Sequence, residues 1–346
     1  MLSPLDIAKR RLTLTTHRIH TLPVVVLMPH SRCNCRCVMC DIWKANRNGY
    51  TLSPADLEAH LDDFRRLHVR RVVLSGGEAL MHPNLFVLCD LLKRLDIKIT
   101  LLSTGLLLKR YAAETVRCCD EVTVSLDGSR AVHDAIRRVP RAFDRLAEGI
   151  AALKRLDPGF RVTARCVVQR ANYTDLPHLI DAAHEIGLDQ LSFLAADVST
   201  EAFNRPVPWD AERADEVALS PDEAAAFAQI VEDVIARYAP DFASGFIAES
   251  PEKLQRLPRY FAALHGEGDF PKTHCNAPWV STVIEADGTV RPCFFHRPLG
   301  NIHDHPLATI LNAEPAQTFR RTLDVKRDAL CRKCVCTLYL RPTASL

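Results

Sequence analysis

The sequence predicts an α/β protein: a partial (β/α)6, TIM-like barrel followed by a small C-terminal unit made of a β-hairpin and helix. Three observations lead there. Between Leu22 and Ala196, short runs rich in β-branched residues alternate six times with amphipathic helical patterns, as parallel strands and their crossover helices do. From 197 to 272 the helical patterns continue and the strand patterns stop. After that, apolar runs flank Asp287-Gly288, a hairpin turn signal. The expected divisions are an N-terminal extension over 1–21, the barrel over 22–196, a helical bridging segment over 197–272 and the C-terminal unit over 273–346.

Leu22 to Met28 is a continuous apolar run, read as a buried strand because it lacks a cleavage signature and is far too short to span a membrane. Before it, Lys9, Arg10, Arg11 and Arg18 make residues 1–20 basic, which favours a surface helix over an interfacial anchor. Ser53 followed by Pro54 opens a helix with apolar residues at helical spacing from Leu57 to Leu67. Val72–Leu74 is the second strand, ending in Ser75-Gly76-Gly77-Glu78; Leu85–Leu95 is helical; Ile99–Ser103 is the third strand.

In Glu121–Asp127, Val122, Val124 and Leu126 face one way and Thr123, Ser125 and Asp127 the other, so the polar set would line the barrel lumen. A helix over Phe143–Leu156 precedes the fifth strand, Arg161–Gln169, which turns Arg165 to the lumen. A guanidinium there needs a partner: a ligand carboxylate or phosphate, or a barrel Asp or Glu. Leu176–Ile186 and Leu191–Leu194 complete the alternation. In the bridging segment, Pro221–Tyr238 and Glu252–Leu264 are amphipathic helices, and 201–210 is a candidate substrate loop.

Composition excludes several function classes. With 47% hydrophobic and 25% charged residues and a net charge of +2, nothing marks a nucleic-acid or anionic-membrane protein. Thirteen cysteines in a long chain without an export signal, most of them in tight clusters, fit metal or cluster binding in a reducing cytoplasm better than disulfides.

Cys33, Cys37 and Cys40 form C-x3-C-x2-C just after the first strand, where catalytic loops of α/β barrels sit. Three such thiolates can hold three irons of a [4Fe-4S] cube and leave one open for chemistry. Zinc is the bland alternative, with Cys35 as a fourth thiol. Cys275, Cys293, Cys331 and Cys334 offer four thiolates, suited to a zinc ion or a second cube.

The cysteine loop, Ser75-Gly76-Gly77-Glu78 and Ser125-Leu126-Asp127-Gly128 together resemble the radical S-adenosylmethionine (SAM) superfamily. That resemblance implies SAM on the open iron, cleaved by one electron to a 5′-deoxyadenosyl radical that abstracts hydrogen from a substrate. It also implies cofactor contacts: Gly76, Gly77 and Glu78 at the methionine amino group, Ser103 (with Thr104) as a further contact, Ser125 and Asp127 near the ribose or substrate, and Arg137 at the SAM carboxylate. Arg165 joins this set as a candidate ligand contact. Taken alone, Gly-Gly-Glu and Ser103 fit plain turns, and Arg137 fits a solvated helix face. Ala79 stands where the family usually has Pro. The C-terminal cysteines, with Pro278-Trp279, Gly288-x4-Cys293 and Gly300-Asn301, resemble the SPASM extension or its shorter twitch form. One auxiliary [4Fe-4S] cluster is expected there. Cys35 and Cys336 remain as candidate hydrogen-atom donors.

Three functions compete. The first is radical SAM chemistry on a small molecule such as a sugar or other metabolite, with flavodoxin or ferredoxin as electron donor. The 32 residues before Cys33 favour it, being too few for a leader-peptide recognition domain. The second is the same chemistry on a ribosomal peptide. The third is a non-enzymatic zinc module. Oligomeric state and substrate identity are not readable from the sequence.

Overall fold

The structure is a computed structural model and describes residues 3–345, with Asn48 described by its backbone alone. Six parallel strands follow one another in chain order: β1 (Val24–His30), β2 (Arg71–Gly76), β3 (Lys98–Ser103), β4 (Glu121–Ser125), β5 (Arg161–Val168) and β6 (Gln190–Ala195). Helices connect them, as right-handed crossovers require. Alternation sorts the faces: Val72, Leu74, Val122 and Val124 are fully buried against the helices, whereas Thr123 and Ser125 are half-buried on the lumen side.

The main departure from expectation lies at the other edge of the sheet. β7 (Ser281–Ile284) pairs in parallel with β1, Val24 opposite Ser281 and Leu27 opposite Ile284. β8 (Thr289–Arg291) and β9 (Gly300–Asn301) continue antiparallel, giving one nine-stranded sheet in the order β6-β5-β4-β3-β2-β1-β7-β8-β9. The hairpin therefore caps the apolar edge that β1 would otherwise present, a common way of managing an open strand edge. Its side chains Ile284, Val290 and Ile302, with Leu307, Ile310 and Leu311 of the following helix, belong to the same hydrophobic core as Leu27 and Val72.

Smaller differences have local causes. Trp279 and Val280 belong to a helical turn, Ala277–Val280, rather than to the strand. The helix capped by Ser53 breaks at His60 into Pro54–Glu58 and Leu61–Arg66, where the His60 ring reaches the Ile302 carbonyl at 3.0 Å. The helix at Pro4–Thr16 is more than a surface feature: Asp6, Arg10 and Thr13 are buried, and Arg10 Nη1 donates to the Ala344 carbonyl at 2.6 Å. Among the described residues no helix is long and apolar enough to cross a membrane.

Candidate functional site

The cysteine loop is seated from both sides by backbone hydrogen bonds. On one side Gly77 N donates to His30 O (3.2 Å) and Glu78 N to Arg32 O (2.8 Å). A Cβ at Gly77 would lie 2.0 Å from Arg32 O, and Gly76 has φ +105° with its Cβ position 2.9 Å from His30 O. Glycine is required at both places because the strand end packs directly on the loop. On the other side, Arg36 N and Val38 N donate to Arg137 O and Ile136 O at the end of helix Arg130–Arg137. Asn46 clamps Cys33 by accepting from its N–H and donating to its carbonyl, and Trp43 Nε1 donates to Cys40 O at 2.8 Å.

The thiols in this loop respond to one another. A hydrogen bond from Cys35, helped by the charge of Arg137 and opposed by burial, brings the Cys37 thiol down to about 6. Arg137 Nη1 lies 3.3 Å from Cys37 Sγ. Hydrogen bonding to Cys33 and Cys37 pushes the Cys35 thiol up. Burial pushes Cys40 up to about 12, and the neighbouring Cys37 and Cys33 add to it. Clustered free thiols that resist ionising together, with one already poised as a thiolate, are a donor set a cation would relieve, so these residues fit an iron–sulfur centre. Cys35 is buried among those sulfurs.

Several expected SAM contacts turn out to be occupied within the protein. Glu78 is fully buried, and its carboxylate accepts from Leu80 N, Ser103 Oγ, Thr104 N and Thr104 Oγ1. With four donors on it, it organises the Gly-Gly-Glu turn. Ser103 is committed to the same carboxylate and to Gly105 N. Asp127 is buried; it accepts from Val167 N and forms an ion pair with Arg137. Burial opposes the charge on Arg137, but Asp127, Cys37 and Cys35 outweigh it and hold its pKa up. Arg137 thus links Cys37 and Asp127. Ser125 and Arg165 do stand on the lumen side, opposite each other across β4 and β5, with Arg165 Nε 3.3 Å from Ser192 Oγ.

Two clusters of residues were not foreseen. Arg205 is buried, pairs with Asp197 at 2.8 Å, donates to Met39 O and stacks on Trp209 at 3.8 Å. Trp209 Nε1 donates to Asp41 Oδ2, and Arg213 donates to Val38 O. Segment 197–213 is thus strapped onto the cysteine loop; the only trace in sequence is the spacing of Arg205, Trp209 and Arg213. In the C-terminal region, His296 Nε2 lies 3.3 Å from Cys331 Sγ, and a lone His in a loop gave no signal for that.

The C-terminal thiols also converge. Burial raises Cys331 and Cys334, and both feel Cys275 and Cys293. Burial pushes Cys293 up to about 11, with Cys275 adding to it. This set likewise fits a cluster. Cys336 is exposed beside it, away from the cavity wall.

A cavity of about 690 Å³ lies beside the segments that carry the two thiol sets, walled by Ser31 and Ile42 near the first and by Phe294 near the second. Met28, Gly76 and Gly77 line it from the barrel, Phe203 from the bridging segment, and Phe294 and Phe295 from beside Cys293. Phe203 packs on Phe294 with ring centroids 4.9 Å apart, joining the bridging loop to the C-terminal region.

Comparison with known proteins agrees with this arrangement. The sequence profile of the radical SAM superfamily matches residues 27–197, and that of the SPASM iron–sulfur cluster-binding domain matches residues 275–335. Pre-heme d1 synthase of Dinoroseobacter shibae is 30% identical over 171 residues, 49% of this chain and 42% of that protein. The antilisterial bacteriocin subtilosin biosynthesis protein AlbA of Bacillus subtilis is 23% identical over 289 residues, 82% of this chain and 58% of its own length. The chain therefore spans about half the length of the curated relatives it matches. Streptococcus suis SuiB, solved with SAM and with its precursor peptide SuiA, shares the fold at TM-score 0.63 in both structures; identity is 16% and 15%, over 95% of this chain and 76% and 74% of SuiB. A [4Fe-4S] cluster with SAM, an auxiliary iron–sulfur centre and an enzymatic role come with both profiles, and the zinc-module reading falls: the chain belongs to the radical SAM superfamily and carries a SPASM-type domain.

Proposed function

We propose that this enzyme modifies a peptide. The sequence alone ranks a small molecule first; the relatives weigh the other way. AlbA, named for bacteriocin biosynthesis, aligns over 82% of the chain, while the haem-pathway relative aligns over 49%. The observation that carries the reading is the cavity: it is walled by the barrel, the bridging loop and the SPASM-type region together, so an extended substrate in it would touch all three parts of the chain.

When bound, a [4Fe-4S] cluster on Cys33, Cys37 and Cys40 supplies one electron for SAM cleavage, giving the radical that takes a hydrogen atom from the substrate. The protein's own residues supply the rest. Gly76 and Gly77 leave the strand end bare beside the loop, Arg137 steadies the Cys37 thiolate, Ser125 and Arg165 present polar groups from the lumen, and the Phe203–Phe294 wall excludes water. Cys275, Cys293, Cys331 and Cys334 would hold the auxiliary cluster that takes up or returns an electron. Thirteen free thiols suit a reducing compartment such as the cytoplasm.

The test is anaerobic incubation of reconstituted protein with SAM and short peptides encoded beside the gene. Coupled appearance of 5′-deoxyadenosine and a changed peptide mass is expected, and Cys37→Ala should abolish both while leaving iron at the C-terminal site. The 30% identity to pre-heme d1 synthase favours a second reading, a tetrapyrrole substrate. Turnover with an iron porphyrin precursor and none with peptide would establish that reading and remove the first.

A further inference from the structure

Exposed cations gather on the surface over the cysteine loop. Net charge is only +2 over 346 residues, yet between residues 32 and 47 Arg32, Arg36, Lys44 and Arg47 are all exposed. The one acid there, Asp41, is buried and already engaged by Lys44 at 2.9 Å and by Trp209. The hydrogen bond from Arg36 N to Arg137 O brings Arg138, also exposed, alongside, and exposed Arg141 follows, its guanidinium 3.3 Å from Asp144. Arg138 sits at φ 53° and closes its helix in the left-handed conformation, which turns the chain out at this surface.

In the middle of these cations lies Trp43. Its ring is half-buried, with Arg36 at 5.9 Å and Lys44 at 6.0 Å from its centroid. Its indole N–H is bonded to the carbonyl of Cys40. Cys33 and Cys40 themselves are only partly buried. An aromatic ring thus connects a cationic surface with the backbone of Cys40, a residue that the radical SAM reading makes an iron ligand.

We propose that this surface, formed by Arg36, Arg138 and Arg141 beside Trp43, is the docking site of an acidic one-electron carrier protein. The argument is charge complementarity at the place where the reaction needs an electron. The partner is a reduced flavin- or iron–sulfur-bearing protein; it is oxidised by one electron, the centre on Cys33, Cys37 and Cys40 is reduced by one, and no atom is transferred. Clustered cations of this kind act chiefly on the rate of encounter, by factors of about 10 to 1,000, and fade with salt.

The inference rests on the assignment of those three cysteines, and the experiment keeps the two apart. Reduction of the cluster is followed by absorbance in anaerobic stopped flow, driven either by chemically reduced acidic flavodoxin or by dithionite. The expected result for Arg36→Glu with Arg138→Glu is a flavodoxin-driven rate at least about tenfold lower at low salt, an unchanged dithionite-driven rate, and unchanged iron content. The wild-type flavodoxin rate should fall steeply with ionic strength. If the double variant loads iron poorly, Arg141→Glu alone, whose side chain touches none of the loop's backbone bonds, is read in the same way. Equal flavodoxin rates in wild type and an iron-loaded variant overturn the docking site. A variant with normal electron transfer but weakened peptide binding overturns it too, assigning the patch to substrate. Failure of dithionite to reduce the wild type would instead overturn the cluster assignment.

Discussion

His133 shows how burial beside the cysteine loop turns into a pH response. Its ring is fully buried and Nδ1 accepts from Asp127 N at 3.2 Å, which requires that nitrogen to be unprotonated. Burial, followed by the nearby Arg137 charge, lowers its pKa to about 3, against roughly 6.5 in an unfolded chain. Between those values the unfolded chain binds a proton that the native state refuses. The contribution of His133 is therefore complete above about pH 6.5 and is lost as pH falls towards 3, by at most about 1.4 kcal/mol per unit. Urea unfolding at stepped pH should show stability declining from pH 7 to 4, and His133→Gln, which keeps an acceptor but cannot titrate, should flatten that decline by about one proton. An unaltered slope would show that His133 does not titrate in this window. At this scale the cysteines were legible, because cluster chemistry demands one residue type at fixed spacing. The internal partners of Glu78, Ser103, Asp127 and Arg137 were not legible, for the opposite reason. A polar side chain at a strand end can serve a ligand or a neighbour, and the neighbours, Thr104 for Glu78 and Cys37 for Arg137, lie 26 and 100 positions away.

The strands and helices of the barrel could be read from their periodicity, since period 2 and period 3.6 are set by backbone geometry. The strap over 197–213 could not. Its form comes from what it touches: Arg205 joins Asp197 and Met39 O, Asn204 Nδ2 reaches Asp41 O at 3.4 Å, and Trp209 bonds to Asp41. Phe203 and Asn204 are both held at positive φ, 62° and 63°, a conformation costing a non-glycine residue on the order of 1–3 kcal/mol. Such strain persists only where surrounding contacts fix it, and here it aims Phe203 at Phe294 across the cavity. The side chains of the Asp197–Arg205 pair are 1% and 0% exposed. Removing one member leaves the other charge buried, at a cost of about 3–5 kcal/mol. Arg205→Met should therefore destabilise strongly, raise proteolytic cleavage within 201–210 and speed loss of iron from the first site in a chelator challenge. Adding Asp197→Asn to that variant should recover a large part of the stability. If the double variant is as unstable as the single one, the unpaired carboxylate is not the cause.

For the whole molecule, the question is whether residues 273–346 are a separable domain, as composition and the hairpin signal imply. The sheet argues for dependence. β7 covers β1 over four residue pairs from Val24–Ser281 to Leu27–Ile284, and that pairing joins segments at opposite ends of the chain, beyond the reach of any local pattern. The dependence is repeated elsewhere: Ala308 N donates to Asp63 Oδ2, Asn312 bonds both backbone groups of Ile19, and buried Arg320 donates to His17 O and Leu311 O. A chain ending at residue 272 would lose all of these and present Val24-Val25-Val26-Leu27 as an unpaired, apolar, β-branched edge, the kind that recruits another strand. Light scattering after size exclusion should find that truncated chain largely self-associated, while the full-length chain at the same concentration is not driven to associate by this edge. A single charge on the bare edge is the standard remedy, so Val26→Lys, at a half-buried lumen position, should shift the truncated chain back towards monomer without restoring its lost core. A truncated chain that stays monomeric and loads its first cluster fully would show that the barrel stands alone and that β7 is an addition to a finished sheet. Association relieved by Val26→Lys would show that the SPASM-type region completes the fold on which the cysteine loop is built.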